Sequence, residues 1–192
     1  MSEPRIAMLS MEEARQAASE VGLADALAEL SIFRILLRQP MLAQRVADLL
    51  MGLLTRGKLD ARLRELIIMR IGWATDSVYE WTQHWRVARQ LGVDEADLKA
   101  VRDWRVHDGW SDADRAVLAA TDETLERGAI SASTWQACAK ALPSAEEQLE
   151  LVGAIGTWRM ISQILRSLEV PLEDGVAPWP PEGVGPGAAG VS

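Results

Sequence analysis

Glu80 and His84 lie four residues apart in the run Tyr79-Glu80-Trp81-Thr82-Gln83-His84. On a helix that spacing places both side chains on one face. A carboxylate beside an imidazole orients the ring and raises its basicity. Glu65 sits in the preceding segment, LDARLRELIIMRIGW, among aliphatic residues. Acids and a histidine in apolar surroundings are costly unless paired. If the two segments are antiparallel neighbours, two carboxylates and one imidazole converge, and the chemistry open to them is general acid/base proton transfer. Tyr79 offers a hydroxyl donor and Trp81 an indole beside it. Arg70 or Arg62 could bind a substrate carboxylate. The same residues admit a plainer reading. Glu80 and His84 then form a surface helix pair worth about 0.3 kcal/mol, and Glu65 pairs with Arg62 or Arg70.

The elements that must hold these groups read as helices with start and stop signals. Ser10-Met-Glu-Glu13 is a capping-box pattern opening a first helix. A short apolar helix spans about Leu30–Leu37, and Pro40 starts the next, which Gly57 ends. Asp60 caps a helix carrying Leu63, Leu66, Ile67 and Ile71, with Ile68 and Met69 widening the stripe, so it is expected to be buried. Thr75-Asp76-Ser77 reads as a short turn. A helix from about Val78 to Leu91 follows and stops at Gly92. Asp94 opens a short helix, and Val106–Trp110 reads as a loop holding His107. Ser111 caps a helix ended by Gly128, with Asp112 and Asp114 complementing its dipole. Ser131 caps another, ended by Pro143. Ser144-Ala-Glu-Glu147 is a second capping box opening a long helix to about Ser167. No strand pattern is evident.

Composition narrows the function classes. The chain has 192 residues, a formal net charge of -8 and 48% hydrophobic residues. That is enough apolar material for a sizeable core. The acidic balance argues against nucleic acid and anionic membranes as partners. No apolar run approaches the roughly 20 residues of a membrane span, and the N-terminus lacks a signal-peptide pattern. Eight tryptophans, against one Phe and one Tyr, supply nearly all the aromatic volume. Cys138 is the single cysteine, so no intrachain disulfide, CxxC pair or cysteine zinc site can form. It reads as an inert helix thiol. Two acids and one histidine are not a diagnostic metal set, and no metal or cofactor is expected. A cytoplasmic location is expected. Beyond Pro171 the tail is rich in Gly and Pro and is expected to be flexible, with Trp179 either free or docked on a neighbouring subunit.

LDARLRELIIMRIGW followed by YEWTQHWRVARQLGV resembles the carboxymuconolactone decarboxylase/alkylhydroperoxidase D superfamily. Ile32-Phe33-Arg34 through Pro40 is similar to its lead-in helix, and GTWRMISQILRSLEVPLE to its closing helix, so the resemblance covers about residues 25–173. It implies an all-α fold of about eight to nine helices with a central antiparallel pair, and association as a homotrimer or homohexamer. The peroxidase branch uses a glutamate, a CxxC pair and a histidine. Aligned on Glu65 and His84, the two cysteines fall on Ser77 and Glu80. Without thiols there is no disulfide to cycle, which argues against thiol peroxidase chemistry. The decarboxylase branch, which works without metal or organic cofactor, fits better.

The expectation is therefore a single all-α domain over 1–170 with a tail over 171–192. Its function is a cofactor-independent lyase or isomerase acting on a small oxygenated acid, lactone or carbonyl compound. His84, Glu80 and Glu65 are the catalytic candidates, and Tyr79, Arg70 and Trp81 the substrate-binding ones. His84 would be the proton donor or base, Glu80 would orient it or act as a second acid/base, and Glu65 would join the relay. The alternative is a non-catalytic oligomeric binding or scaffold protein, in which the polar residues form a buried structural network.

Overall fold

The computed structural model describes residues 3–187 and is all-helical. Its chain divides into two compact units. One comprises residues 3–56 with 163–176, the other residues 57–162 with 177–187.

The first unit holds α1 (Met11–Glu20), α2 (Asp25–Ala28), α3 (Ser31–Leu36) and α4 (Pro40–Thr55). Ser10 and Glu13 close the expected capping box on α1, and Pro40 occupies the first turn of α4. Apolar faces of these helices bury Phe33, Ile35, Leu37, Val46 and the small Ala14, Ala18, Ala43 and Ala47. The single turn α2 takes the count to ten α-helices among the described residues, beyond the expected eight to nine. Ala24 gives it no side-chain cap, so it carries none of the usual start signals.

The second unit contains the candidate site. It comprises α5 (Ala61–Ala74), α6 (Val78–Gln90), α7 (Glu95–Ala100), a 3-10 helix (Val101–Val106), α8 (Asp112–Arg127), α9 (Ala132–Ala141) and most of α10 (Ala145–Ser167). Asp60 caps α5, and Ser111 and Ser131 cap α8 and α9, as the local sequence dictates. Ser144 and Glu147 bond reciprocally at the start of α10. The loop expected over Val106–Trp110 begins one residue later, after the 3-10 helix.

Apolar residues fall on nearly every side of α5, and Leu66, Ile67, Ile68, Met69 and Ile71 are fully buried. This helix is the spine of the unit, packed against α6, α8 and the 3-10 helix. Leu98, Val117, Leu118, Leu151, Ile155 and Trp158 complete the core. Burial of a side chain of this size contributes about 1.5–3 kcal/mol.

The α5–α6 turn fixes the site geometry. Asp76 takes φ +55°, a left-handed conformation that Asp tolerates. The helices then run antiparallel, with Gly72 opposite Trp81 and Glu65 opposite His84. A Cβ on Gly72 would lie 3.0 Å from the Trp81 backbone nitrogen and 3.3 Å from the Glu80 Cβ. Those contacts are tighter than ordinary side-chain packing, so glycine suits the close approach of the two helices.

Residues 177–187 lie along α6 of the same chain. The Trp81 indole N–H donates to the Pro180 carbonyl at 2.7 Å, and the Trp179 backbone N–H donates to the Thr82 hydroxyl at 3.2 Å. The Trp179 ring packs against Trp73 and Trp81, and Glu182 pairs with Arg102 and Lys99. No helix among the described residues is long and apolar enough to cross a membrane.

Candidate active site

Glu65 is completely buried on α5, and each of its carboxylate oxygens has a different partner. Oε1 accepts from the neighbouring Arg64 guanidinium, at 3.2 Å from Nε and 3.1 Å from Nη2. Oε2 lies 2.8 Å from His84 Nδ1 on α6. Removing one member of such a buried set leaves an uncompensated charge, which costs about 3–5 kcal/mol.

The other imidazole nitrogen is also engaged. Trp158, buried on α10, donates its indole N–H to His84 Nε2 at 3.1 Å, and the rings meet edge to face. An indole nitrogen only donates, so Nε2 must accept. His84 is thereby held as the neutral tautomer with its proton on Nδ1, shared with Glu65. Burial works against the imidazolium, but Glu65, bonded at Nδ1, and the nearby Glu80 outweigh it and raise the His84 pKa. Protonation at Nε2 requires the Trp158 indole to let go.

Glu80 is 3% exposed. Burial pushes its carboxyl up to about 8, with His84 pulling the other way and Glu65 adding to the rise. At neutral pH it carries a proton and can donate it. Its Oε2 has no hydrogen-bond partner in the protein, nor does the Ser77 hydroxyl one turn earlier.

The three catalytic candidates therefore lie in one cluster on the α5–α6 pair, Glu65 and Glu80 buried and His84 partly exposed, with roles distributed differently from the expectation. Glu65, across the helix pair, orients the imidazole. Glu80, on the imidazole's own helix, makes no bond to it. The substrate-binding candidates separate. Tyr79 is buried on α6. Trp81 turns its N–H to Pro180 and its ring to Trp73, Trp85 and Trp179. Arg70 is committed elsewhere: it grips both Asp122 oxygens, at 2.6 and 3.2 Å, and the carbonyls of Val101 and Arg102. Arg62 pairs with Asp97 and Asp114. The cation beside Glu65 is Arg64. These arginines hold α5 to α7, α8 and the 3-10 helix.

Sequence reasoning missed Trp158 and Ser77. Nothing local marks Trp158, 74 residues from His84. Ser77 carried a usable signal, the spacing Ser77-x-x-Glu80 of a capping box that does not close. Cys138 is buried on α9, its thiol against the Ala116 carbonyl, and burial pushes its pKa to about 11. That state is unreactive near neutral pH. Among the described residues no three His, Cys, Asp or Glu side chains are grouped to hold a metal ion.

Residues 40–123 match the Carboxymuconolactone decarboxylase family. Among solved structures, an alkylhydroperoxidase AhpD-core, peroxidase-related protein from Ralstonia eutropha JMP134 superposes with a TM-score of 0.72 at 13% identity, over 91% of this chain and 94% of its own. A peroxidase-related protein from Silicibacter sp. TM1040 gives 0.68 at 12% identity, over 92% of each chain. A variant of the debrominase Bmp8, bound to 2,3,4-tribromopyrrole, gives 0.66 at 17% identity, over 85% of this chain and 84% of its own. No curated protein sequence matches. At such identities the shared property is the fold.

Proposed function

We propose that this chain, whose residues 40–123 match the Carboxymuconolactone decarboxylase family and whose fold is AhpD-like, is a cofactor-independent acid/base lyase or isomerase acting on a small oxygenated acid, lactone or carbonyl compound. One observation carries the reading. A buried carboxyl held protonated near neutral pH, Glu80, lies beside an imidazole oriented by a second carboxylate, Glu65. A buried carboxyl that keeps its proton beside an oriented imidazole supplies a general acid and a candidate base in one site.

In a decarboxylation, the bond to the departing carboxylate breaks and its electron pair enters an enolate. Glu80 delivers its proton to that enolate and regains one from solvent. A positioned acid of this kind contributes about 10²–10⁴-fold. In an isomerisation or dehydration, His84 Nε2 takes the substrate proton once Trp158 yields it, and Glu65 stabilises the imidazolium that forms. Arg64 holds the other Glu65 oxygen in place during this step.

The test is turnover of a panel of carboxylactones and β-hydroxycarbonyl compounds by the parent, His84→Ala and Glu80→Gln. Loss of at least 10²-fold in both variants is expected. Full activity in both would overturn the assignment. A second reading, a non-catalytic binding or scaffold protein, is favoured by the Trp158 bond that closes His84 Nε2. It predicts that the double variant loses stability while no panel compound is turned over by the parent.

The assembly is proposed to be a homotrimer or homohexamer, motivated by exposed Met41, Leu42 and Leu49 on α4 and Leu149 and Val152 on α10. Sedimentation equilibrium would distinguish these from a monomer.

A further inference from the structure

We infer that the Ser77 hydroxyl and the Glu80 carboxyl form a subsite at the start of α6 that grips an acceptor oxygen of the substrate, the one on which negative charge builds. The inference rests on the acid/base reading of the same site and adds a residue, Ser77, and a substrate requirement to it.

One capping box in the protein fails to close. Three helices carry a serine followed three residues later by an acid, Ser10/Glu13, Ser111/Asp114 and Ser144/Glu147. At each, the hydroxyl accepts the acid's backbone N–H, and the acid accepts the serine's backbone N–H. Ser77 and Glu80 have the same spacing on α6, yet Ser77 caps nothing. The reason is the α5–α6 turn. The Ser77 backbone N–H is taken by the Gly72 carbonyl at 2.8 Å, so Glu80 has no N–H to accept.

Both side chains are left over inside the protein. Ser77 is 1% exposed and Glu80 3%, and neither the Ser77 Oγ nor the Glu80 Oε2 has a partner in the protein. Native proteins seldom leave such groups unmatched without a functional reason. The two groups together specify what matches them. A hydroxyl can donate, and a protonated carboxyl can donate. Both sit on the first turn of a 13-residue helix, where backbone N–H groups and the helix dipole favour negative charge. The complement is an oxygen that accepts hydrogen bonds and carries or develops negative charge, in a carboxylate, a lactone carbonyl or an enolate. Pre-set donors of this kind stabilise a developing oxyanion.

The charged groups facing Glu80 are His84 on its own helix and Glu65 on α5, with Arg64 bonded to Glu65. Trp158 of α10, which faces His84, is neutral. Above about pH 8 Glu80 ionises, ceases to donate and repels an anion.

The full chain is titrated with benzoate, as an anionic acceptor, and benzamide, as a neutral one. Tryptophan fluorescence and calorimetry follow binding from pH 6 to pH 9. Saturable binding is expected at pH 6, with benzoate tighter than benzamide if charge matters and equal if a neutral carbonyl suffices. Ser77→Ala should weaken binding about tenfold, the loss of one hydrogen bond, with no fall in melting temperature because Ser77 caps nothing. Benzoate affinity should fall between pH 7 and 9 in the parent and stay level in Glu80→Gln, whose amide still donates. Absence of saturable binding by either probe, which leaves the two groups satisfied by water only, overturns the inference, as does unchanged affinity in Ser77→Ala. If that variant binds normally while His84→Ala still abolishes turnover, the subsite is wrong and the acid/base reading stands. If Ser77→Ala loses affinity while His84→Ala and Glu80→Gln retain turnover, the subsite stands and the acid/base reading falls.

Discussion

The Trp158 indole N–H lies 3.1 Å from His84 Nε2 and closes the one ring nitrogen that Glu65 leaves open. The imidazole is thus bonded on both sides, by a carboxylate that favours its charged form and an indole that favours its neutral one. Any proton transfer through Nε2 starts with the opening of that bond.

Trp158→Phe keeps most of the ring volume and removes the donor. The His84 pKa is expected to rise further, because Glu65 and Glu80 remain and the group opposing protonation is gone. A ¹H–¹⁵N NMR titration of the histidine ring reads this directly. An unchanged pKa would show that the indole bond has no influence on the ring. A base role for Nε2 also predicts a shift of the pH–rate profile in this variant.

Glu80 makes the protein less stable as pH rises. Its folded pKa, about 8, lies above the unfolded value of about 4.5. Between these values the folded state binds a proton that the unfolded state has released, so stability falls with increasing pH across this window. His84, also raised, adds a fall that starts near 6.5 and ends above its folded pKa. Urea denaturation should show greatest stability near pH 5. Glu80→Gln should flatten the decline and be more stable than the parent at pH 8 by a few kcal/mol. An identical pH dependence in the two proteins would contradict the placement of a buried, protonated Glu80.

Gly72→Ala tests the close approach of α5 and α6. The added Cβ would meet the Trp81 backbone nitrogen at 3.0 Å, so the first turn of α6 must give by a few tenths of an ångström. A loss of about 2 kcal/mol is expected. The helices should separate enough to weaken the Glu65–His84 bond, lowering the His84 pKa toward its ordinary value. A stability change with no change at His84 would mean that the two helices give way elsewhere.

Residues 177–187 are held to α6 by indole packing. A Cβ on Gly185 would sit 2.5 Å from the Trp179 ring, so that glycine lies flat against the indole. Trp179→Ala and Gly185→Ala should each destabilise the protein, by about 1–2 kcal/mol. Both should speed hydrogen exchange over residues 177–187. If exchange is unaltered in both, these contacts do not hold the segment.

The sequence by itself determined the helices and their order. Caps, breakers and apolar periodicity are local, and Asp60, Ser111, Ser131, Gly92 and Gly128 act where their own neighbours place them. It also determined that Glu80 and His84 share a helix and that Glu65 lies on the one before, because a short turn leaves those two helices little choice but to pair. Tertiary structure decided the partners. Arg70 was a plausible substrate ligand by charge alone, and the packing of α5 against α8 commits it to Asp122. Glu80 was the obvious orienter of His84 by spacing, and Glu65 holds that position because it reaches the ring across the helix pair. Trp158 meets His84 only because α10 returns past α6, a contact between segments far apart in sequence. Ser77 has the letters of a helix cap and loses that role to the Gly72 carbonyl. Hydrogen-bond partners are allotted by three-dimensional competition among donors and acceptors, and periodicity along a chain carries no record of who wins.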